Sequence, residues 1–524
     1  MMKKHLLEIM FLLLISTAIM SASSLPNWMG RSLQNEKVSF RGQYFDNQDY
    51  AVDIAMMQAG MKGEWHYQMR FTTEEHKAVS IRLFYLALGH ISRVIGLEPE
   101  STYGLFRWIF GYLALFAIYG LSRNYFEKKL LVWAAFLLAV FGSGLGWLQL
   151  LAGWQIGPIT PVDFWLIDAY VFFSLSLFPH FSCTIALMAF GLLGFLKFLE
   201  LRQWRFMLLV CVAGVLTQLV NPIAFVVVDA AILFSALLTC FKDRSRLKNL
   251  AFAVGLIGLS QVPMLVYNLV ILSRDPIWSQ YTAQNITLSP SPLHYLMGFG
   301  LFWPLVLTGA VSAIRERNPE FIGLLGWLLS AYILAYLPTL IQRRFLLAVT
   351  LPLAILGLYG LEKLIDWLGE KTERRKPVVV MTTILLVSIS SIYLIYGNMQ
   401  LLKTLPDASF YPASLNPAFE WLAENADPAD FVLASERTSQ LVAQKSGLRV
   451  FAGHEMETIF YSEKLKQVAL WYQSNLPDEA LEISAVKWVV YGPDEKRLAP
   501  DFSPGNNLTP VFESSDALLY KVIN

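Results

Sequence analysis

Two carboxylates three residues apart, Asp46 and Asp49 in Asp46-Asn47-Gln48-Asp49-Tyr50, head a long polar segment that follows the first apolar run of the chain. A carboxylate beside a bilayer is costly to desolvate, so it faces water, a partner cation or a substrate. Placed against a hydroxyl or amine, it can take the proton as that group attacks. A second acidic pair, Asp163 and Asp168, lies between Pro161 and Tyr170, and His180 follows in Phe178-Pro179-His180-Phe181. Arg343 and Arg344 end an apolar run that carries Tyr336, Pro338 and Ile341. Paired guanidinium forks suit a phosphate, and cations that stabilise a departing phosphate are what group transfer from a phosphate ester requires.

Each of these residues also has an ordinary reading. Asp46 can cap a helix, and Asp163, after Pro161-Val162, can cap a helix running through Tyr170. On a helix starting near Asp49, Asp53 would share its face four residues on. Arg343 and Arg344 can anchor the interface by snorkelling. His180 suits either an interface hydrogen bond or a site.

The elements that must hold these groups are mostly apolar. Of 524 residues 55% are hydrophobic, and the mean hydropathy is +0.47, more apolar than a soluble chain of this length. The net charge of +1 gives no electrostatic case for nucleic acid. Cys183, Cys211 and Cys240 all lie in apolar runs and read as small core residues without a disulfide framework.

A spanning helix needs about 20 mostly apolar residues. Eleven stretches qualify: 5–24, 103–121, 130–150, 181–199, 206–221, 223–241, 249–272, 294–313, 320–339, 345–364 and 377–397. The first follows Met1-Met2-Lys3-Lys4-His5 and resembles a signal peptide, with Ser21-Ala22-Ser23 as a cleavage-like site; an uncleaved first helix is the expectation. With this count, the short loops carrying Lys128/Lys129, Arg202/Arg205, Lys242/Arg244, Arg315/Arg317 and Arg374/Arg375 all fall on one side, which is therefore cytoplasmic. The segments 25–102, 151–180 and 273–293 and the tail fall on the other side, as do Arg343 and Arg344. Positive charge at a span end is expected on the inner side, so a pair at the outer end favours the phosphate reading. Residues 78–97 hold Arg82, His90 and Arg93 against Ile81, Tyr85, Leu88 and Ile95 at helical spacing, and read as an interfacial helix.

The tail is mixed in character. Helix-like pieces at 416–426, 463–474 and 478–484 alternate with strand-like runs at 431–434, 448–451 and 486–491, and two more between 509 and 522. The expected organisation is a polytopic α-helical membrane domain over 1–399 and an extracytoplasmic α/β domain over 400–524, in a plasma (inner) membrane. Asp229 stands inside the sixth span, by default a functional candidate with no partner visible. His454-Glu455-Met456-Glu457 lacks a second His at the metalloprotease spacing and reads as a loop. Asn285-Ile286-Thr287 and Asn507-Leu508-Thr509 are sequons on the outer side.

The first segment resembles a known superfamily. Asp46 and Tyr50, then Gly63-Glu64-Trp65, then His76-Lys77 before an amphipathic helix, are similar to the first-loop motifs of the membrane-embedded GT-C glycosyltransferases. Within it the nearest resemblance is to the aminoarabinose-lipid A transferases, protein O-mannosyltransferases and rhizobial galacturonosyltransferases. The layout matches from residue 5 to about 364. The chain departs where those transferases place Glu, here Asn47, and where a Lys-Pro pair has become Lys77-Ala78. The resemblance implies an outward-facing, inverting site: a polyprenyl-phosphate sugar as donor, and a glycan, lipid or protein as acceptor. It puts Asp46 at the catalytic-base position and one of Asp163 and Asp168 near the acceptor. Asp49 falls where the relatives have Arg, and by geometry either Asp46 or Asp49 serves. Arg343, Arg344 and Lys77 are the candidates for donor phosphate. No cofactor is certain, with a divalent metal the one candidate and no ligand set for it. The competing functions are a transporter or flippase of lipid-linked sugars, a polysaccharide polymerase and a non-catalytic scaffold. A transporter would show inverted repeats, which are not legible here.

Overall fold

The computed structural model describes residues 2–154, 156–404, 406–477 and 485–523. The helix-like piece expected at 478–484 lies outside the described residues. The chain forms two compact units. The first comprises Met1–Leu25, Leu105–Tyr267 and Ile286–Gly397; the second comprises Pro26–Gly104, Asn268–Asn285 and Asn398–Asn524.

Every expected span falls on a helix. Among the described residues five helices are long and apolar enough to cross a bilayer: Leu6–Leu33, Pro99–Tyr125, Pro179–Leu201, Arg244–Arg274 and Lys376–Thr404. Trp204–Val220, Val226–Lys242, Pro319–Leu334 and Thr350–Leu368 are shorter, 16 to 19 residues each. Two spans expected to be continuous are broken. Lys129–Phe141 and Gly146–Ala152 meet at 56°, and Pro292–Phe299 and Phe302–Glu316 at 89°. The first break coincides with Gly142-Ser143-Gly144, and the second with Gly300 at φ 35°, a conformation open to glycine. The expected ninth span also ends early, at Leu334, and Arg343 and Arg344 sit in a separate 3₁₀ turn, Gln342–Leu346.

Within the first unit Phe302–Glu316 packs along Thr350–Leu368, and Val226–Lys242 along Pro319–Leu334. The first pair meets at glycines: a Cβ on Gly360 would lie 1.9 Å from the Leu305 carbonyl oxygen. Small residues let membrane helices approach backbone to backbone, where lipid supplies no hydrophobic drive for association. Large side chains such as Phe252, Leu259 and Leu307 stay exposed on the outside of the helices, the surface that lipid covers.

The second unit joins three distant stretches of sequence. Strand β1 (Val38–Phe40) pairs antiparallel with β2 (Phe410–Pro412), in the register Val38 with Pro412 and Phe40 with Phe410. A five-stranded sheet follows, built from β3 (Phe431–Leu433), β4 (Arg449–Val450), β5 (Val486–Tyr491), β6 (Leu508–Glu513) and β7 (Leu518–Val522). Its order is β4-β3-β5-β7-β6. The pairs β4–β3 and β3–β5 are parallel, while β5–β7 and β7–β6 are antiparallel. Leu433, Val489 and Tyr520 from the strands close a core with Val468 and Tyr472 of helix Tyr461–Gln473. The strands expected from the tail sequence are thus the strands of one mixed sheet.

Helix Asn47–Met61 packs between Leu83–Ile95 and Glu436–Ser446. Leu83–Ile95 is the amphipathic helix expected at 78–97; it buries Tyr85, Leu88 and His90, and ends on Gly96 in the left-handed conformation.

Candidate functional site

Helix Asn47–Met61 begins where Asp46 takes a left-handed backbone conformation, φ 54° and ψ 55°, and its side chain accepts the amide of Asp49. The capping role open to Asp46 is therefore occupied, in a backbone region that non-glycine residues visit rarely and that concentrates at functional sites. Asp49 occupies the first turn, where the helix N-terminus favours negative charge, and its side chain is 53% exposed. Asp53, one turn on, is only 5% exposed. Burial, then the adjacent charge of Asp49, holds its carboxyl well above the usual range, against a hydrogen bond from Tyr85. Asp49 and Asp53 share a helix, yet one faces solvent and the other the interior.

The tail meets Asp49. His454, 2% exposed, lies with Nε2 3.0 Å from Asp49 Oδ1. Its Nδ1 accepts the backbone amides of Met456 at 3.0 Å and Glu457 at 3.2 Å. A ring nitrogen that accepts carries no proton, so the proton is on Nε2 and is donated to Asp49. Three residues on, Glu457 is fully buried. Its carboxylate accepts the Tyr67 hydroxyl and, at 3.0 Å, Arg82 Nη1, while Arg82 Nη2 donates to the Tyr281 hydroxyl at 2.9 Å. Asp49, Arg82, Tyr67, Tyr281, His454 and Glu457 thus form one polar cluster with contributions from all three stretches of the second unit. Lys77 lies in the same unit with its side chain exposed, and its carbonyl accepts the indole N–H of Trp278 at 3.0 Å.

The other sequence candidates belong to the first unit. The helix expected from Asp163 through Tyr170 is instead two 3₁₀ turns, Val162–Phe164 and Ile167–Ala169, followed by helix Val171–Leu177. Asp163 Oδ2 accepts the backbone amides of Gly144 at 3.2 Å and Gly146 at 3.1 Å. It thereby satisfies donors freed by the break after Phe141. Burial pushes its carboxyl up to about 6, against hydrogen bonds from Ser390, Gly146 and Gly144. Asp168 is also pushed up to about 6 by burial, while the positive charges of Arg343 and Arg344 pull it back down. Arg343 covers the face of Trp165 at 5.0 Å, and the Asp168 carbonyl accepts the amide of Ala348 at 2.9 Å. Asp168, Arg343 and Arg344 are therefore neighbours, as a mixed-charge site needs. His180 sits in the first turn of Pro179–Leu201 against Phe181, ring centroids 4.1 Å apart.

Asp229 also acquires a partner: Gln261 of the helix Leu247–Arg274 donates to it at 3.0 Å, and Gln218 donates to Gln261 at 3.3 Å. That chain of bonds ties three helices together. Among the described residues no three His, Cys, Asp or Glu side chains converge as metal ligands.

No protein-family model and no curated protein matches the sequence. Solved structures do match the fold. The apo oligosaccharyltransferase of Archaeoglobus fulgidus aligns at TM-score 0.54 with 13% identity, over 92% of this chain and 69% of its own. The same organism's AglB in complex with an inhibitory peptide and a dolichol-phosphate aligns at TM-score 0.54 with 14% identity, over 90% and 69%. ArnT from Cupriavidus metallidurans bound to undecaprenyl phosphate aligns at TM-score 0.54 with 12% identity, over 98% and 97%. The chain shares the fold of these structures, the GT-C fold, and its long apolar helices are those of a multi-pass membrane protein, as the first-segment motifs lead one to expect.

Proposed function

We propose that this chain is a membrane glycosyltransferase that moves a sugar from a polyprenyl-phosphate donor to an acceptor on the outer face of the membrane. The observation that carries the reading is the placement of Asp46 and Asp49 at the start of one helix in a GT-C fold, with the Asp49 side chain open to solvent. The lipid phosphates named with ArnT and AglB support the donor class.

In the proposed reaction a carboxylate at this helix end takes the proton of the acceptor hydroxyl or amine. The acceptor atom bonds to the anomeric carbon as the bond from that carbon to the phosphate oxygen breaks, and the electron pair leaves with the lipid phosphate. Attack opposite the leaving phosphate inverts the anomeric configuration. Arg343 and Arg344 are the cations of the first unit suited to a lipid phosphate, because each presents a planar pair of donors. Asp168 beside them limits their excess positive charge.

The test is transfer by the purified, lipid-reconstituted protein from a panel of radiolabelled polyprenyl-phosphate sugars to membrane glycolipid and peptide acceptors, with and without divalent cation. Label should move from at least one donor, and a silent panel would sink the reading. Alkaline-phosphatase fusions after residue 410 should be active, and those near 245 and 373 inactive. The reverse pattern would overturn the outer-face assignment.

A further inference from the structure

The contact between Asp49 and His454 has the form of an oriented base. His454 is held on every side that matters. Its amide donates to Thr458 Oγ1 at 3.2 Å, its carbonyl accepts the amide of Thr458 at 2.9 Å, and Nδ1 takes two backbone amides. The turn is also tied to the first helical turn, since the Glu455 amide donates to Gln48 Oε1 at 3.4 Å. The imidazole therefore has one tautomer and one orientation, and its remaining N–H points at Asp49 Oδ1 at 3.0 Å. Here the histidine is 2% exposed and the carboxylate 53% exposed. Asp46, by contrast, spends its side chain on the amide of Asp49.

We infer that His454 is a positioning residue for Asp49, and that Asp49 is the carboxylate that takes the acceptor proton. His454 keeps its own proton throughout. It donates to Oδ1 and fixes the plane of the carboxylate, whose solvent-exposed side receives the acceptor proton. The buried Glu457 amide on Nδ1 and the Glu457 carboxylate on Arg82 make the same turn the mount for a cation that feels the Asp49 charge. A segment that reads from sequence as a plain loop thus completes the site.

This inference rests on the transferase reading above. The experiment compares wild type, His454→Phe, His454→Gln, Asp49→Asn and the Asp49→Asn/His454→Phe double variant, with a donor on which wild type is active. His454→Phe removes the donor at similar shape and should lower kcat by about ten- to a hundredfold with little change in donor KM. His454→Gln restores an N–H and should recover most of that loss. In the Asp49→Asn background His454→Phe should add almost nothing, because the two act as one unit. Separately, ¹⁵N spectra of histidine-labelled protein should show His454 as the Nε2–H tautomer, with its Nε2 resonance moved by Asp49→Asn. Full activity of His454→Phe, or losses that multiply in the double variant, would overturn the positioning role while leaving the transferase reading intact. A wild type silent on every donor would sink the transferase reading first, and the tautomer measurement would still decide the contact.

Discussion

Two regions of this molecule carry a pair of aspartates close in sequence, and they use them in opposite ways. Asp46 and Asp49 stand at a helix N-terminus with Asp49 facing solvent, whereas Asp163 is 3% exposed and bonds the amides of Gly144 and Gly146. Asp49 is contacted by a side chain that is itself immobilised; Asp163 is contacted by backbone that would otherwise lack partners. A carboxylate with an oxygen that completes a broken helix maintains the fold, and one half exposed beside an imidazole is open to a substrate. Residue type and spacing do not separate these cases; burial and the nature of the partner do. Asp168 stands between them, partly buried yet beside Arg343 and Arg344.

The contrast breaks most readily at Asp49. Asp49→Asn should lower turnover about 10²–10⁴-fold, the usual worth of general-base assistance, without loss of folded protein. Asp46→Asn should cost far less, since Asn caps a helix and tolerates the left-handed backbone as Asp does. Kinetics that rank the two the other way would return the base to Asp46 and undo the burial argument. A smaller effect is expected at the cations. Arg344→Ala should weaken donor binding roughly ten- to a hundredfold, from a charged hydrogen bond of about 1.5–3 kcal/mol. Lys at 344 should recover only part of it. Donor titrations that match wild type for both Arg343→Ala and Arg344→Ala would leave the pair as interface anchors.

Asp163→Ala should act on stability. Two amides lose their acceptor in the break, so unfolding should become easier by about 1–3 kcal/mol, with kcat per folded molecule kept. Thermal melts in detergent, paired with active-site-normalised rates, check this; a collapse of kcat with no change in melting would move Asp163 to the chemistry. A further effect is the pH dependence at Asp168. Its carboxyl is raised in the fold to about 6, so the unfolded chain ionises first as pH rises. Its contribution to stability is therefore greatest in acid, falls across about pH 4–6, and is level above. Asp168→Asn should flatten that part of the stability profile, and an unchanged slope would count against it.

Much of this was legible in the sequence because it is local. The eleven apolar runs, the start of a helix at Asp46 and the amphipathic helix before Gly96 follow from periodicity, capping and hydropathy within a few residues. What escaped is long-range. Nothing near His454 indicates that it will meet a residue some 400 positions away, and the missing second histidine directs attention elsewhere. The breaks after Phe141 and at Gly300 escaped for another reason. Hydropathy averages over about 19 residues and is blind to a bend that glycines permit inside an apolar run. Gly142, Gly144 and Gly300 were the available cues, and Asp163 gained its role only because the first bend freed amides for it to bond.

The ladder between β1 and β2 sets a timetable. Phe40 and Phe410 are neighbours in the finished protein, but a ribosome working at about 5–20 residues per second needs roughly 20–75 s to travel from one to the other. His454 emerges later still. Through that interval every span is being inserted while Asp49 has no imidazole behind it. A chain that stalls, or is cut before the tail, would carry its apolar helices but only half of the proposed catalytic apparatus, so the inferred activity would arrive only after every span has been made.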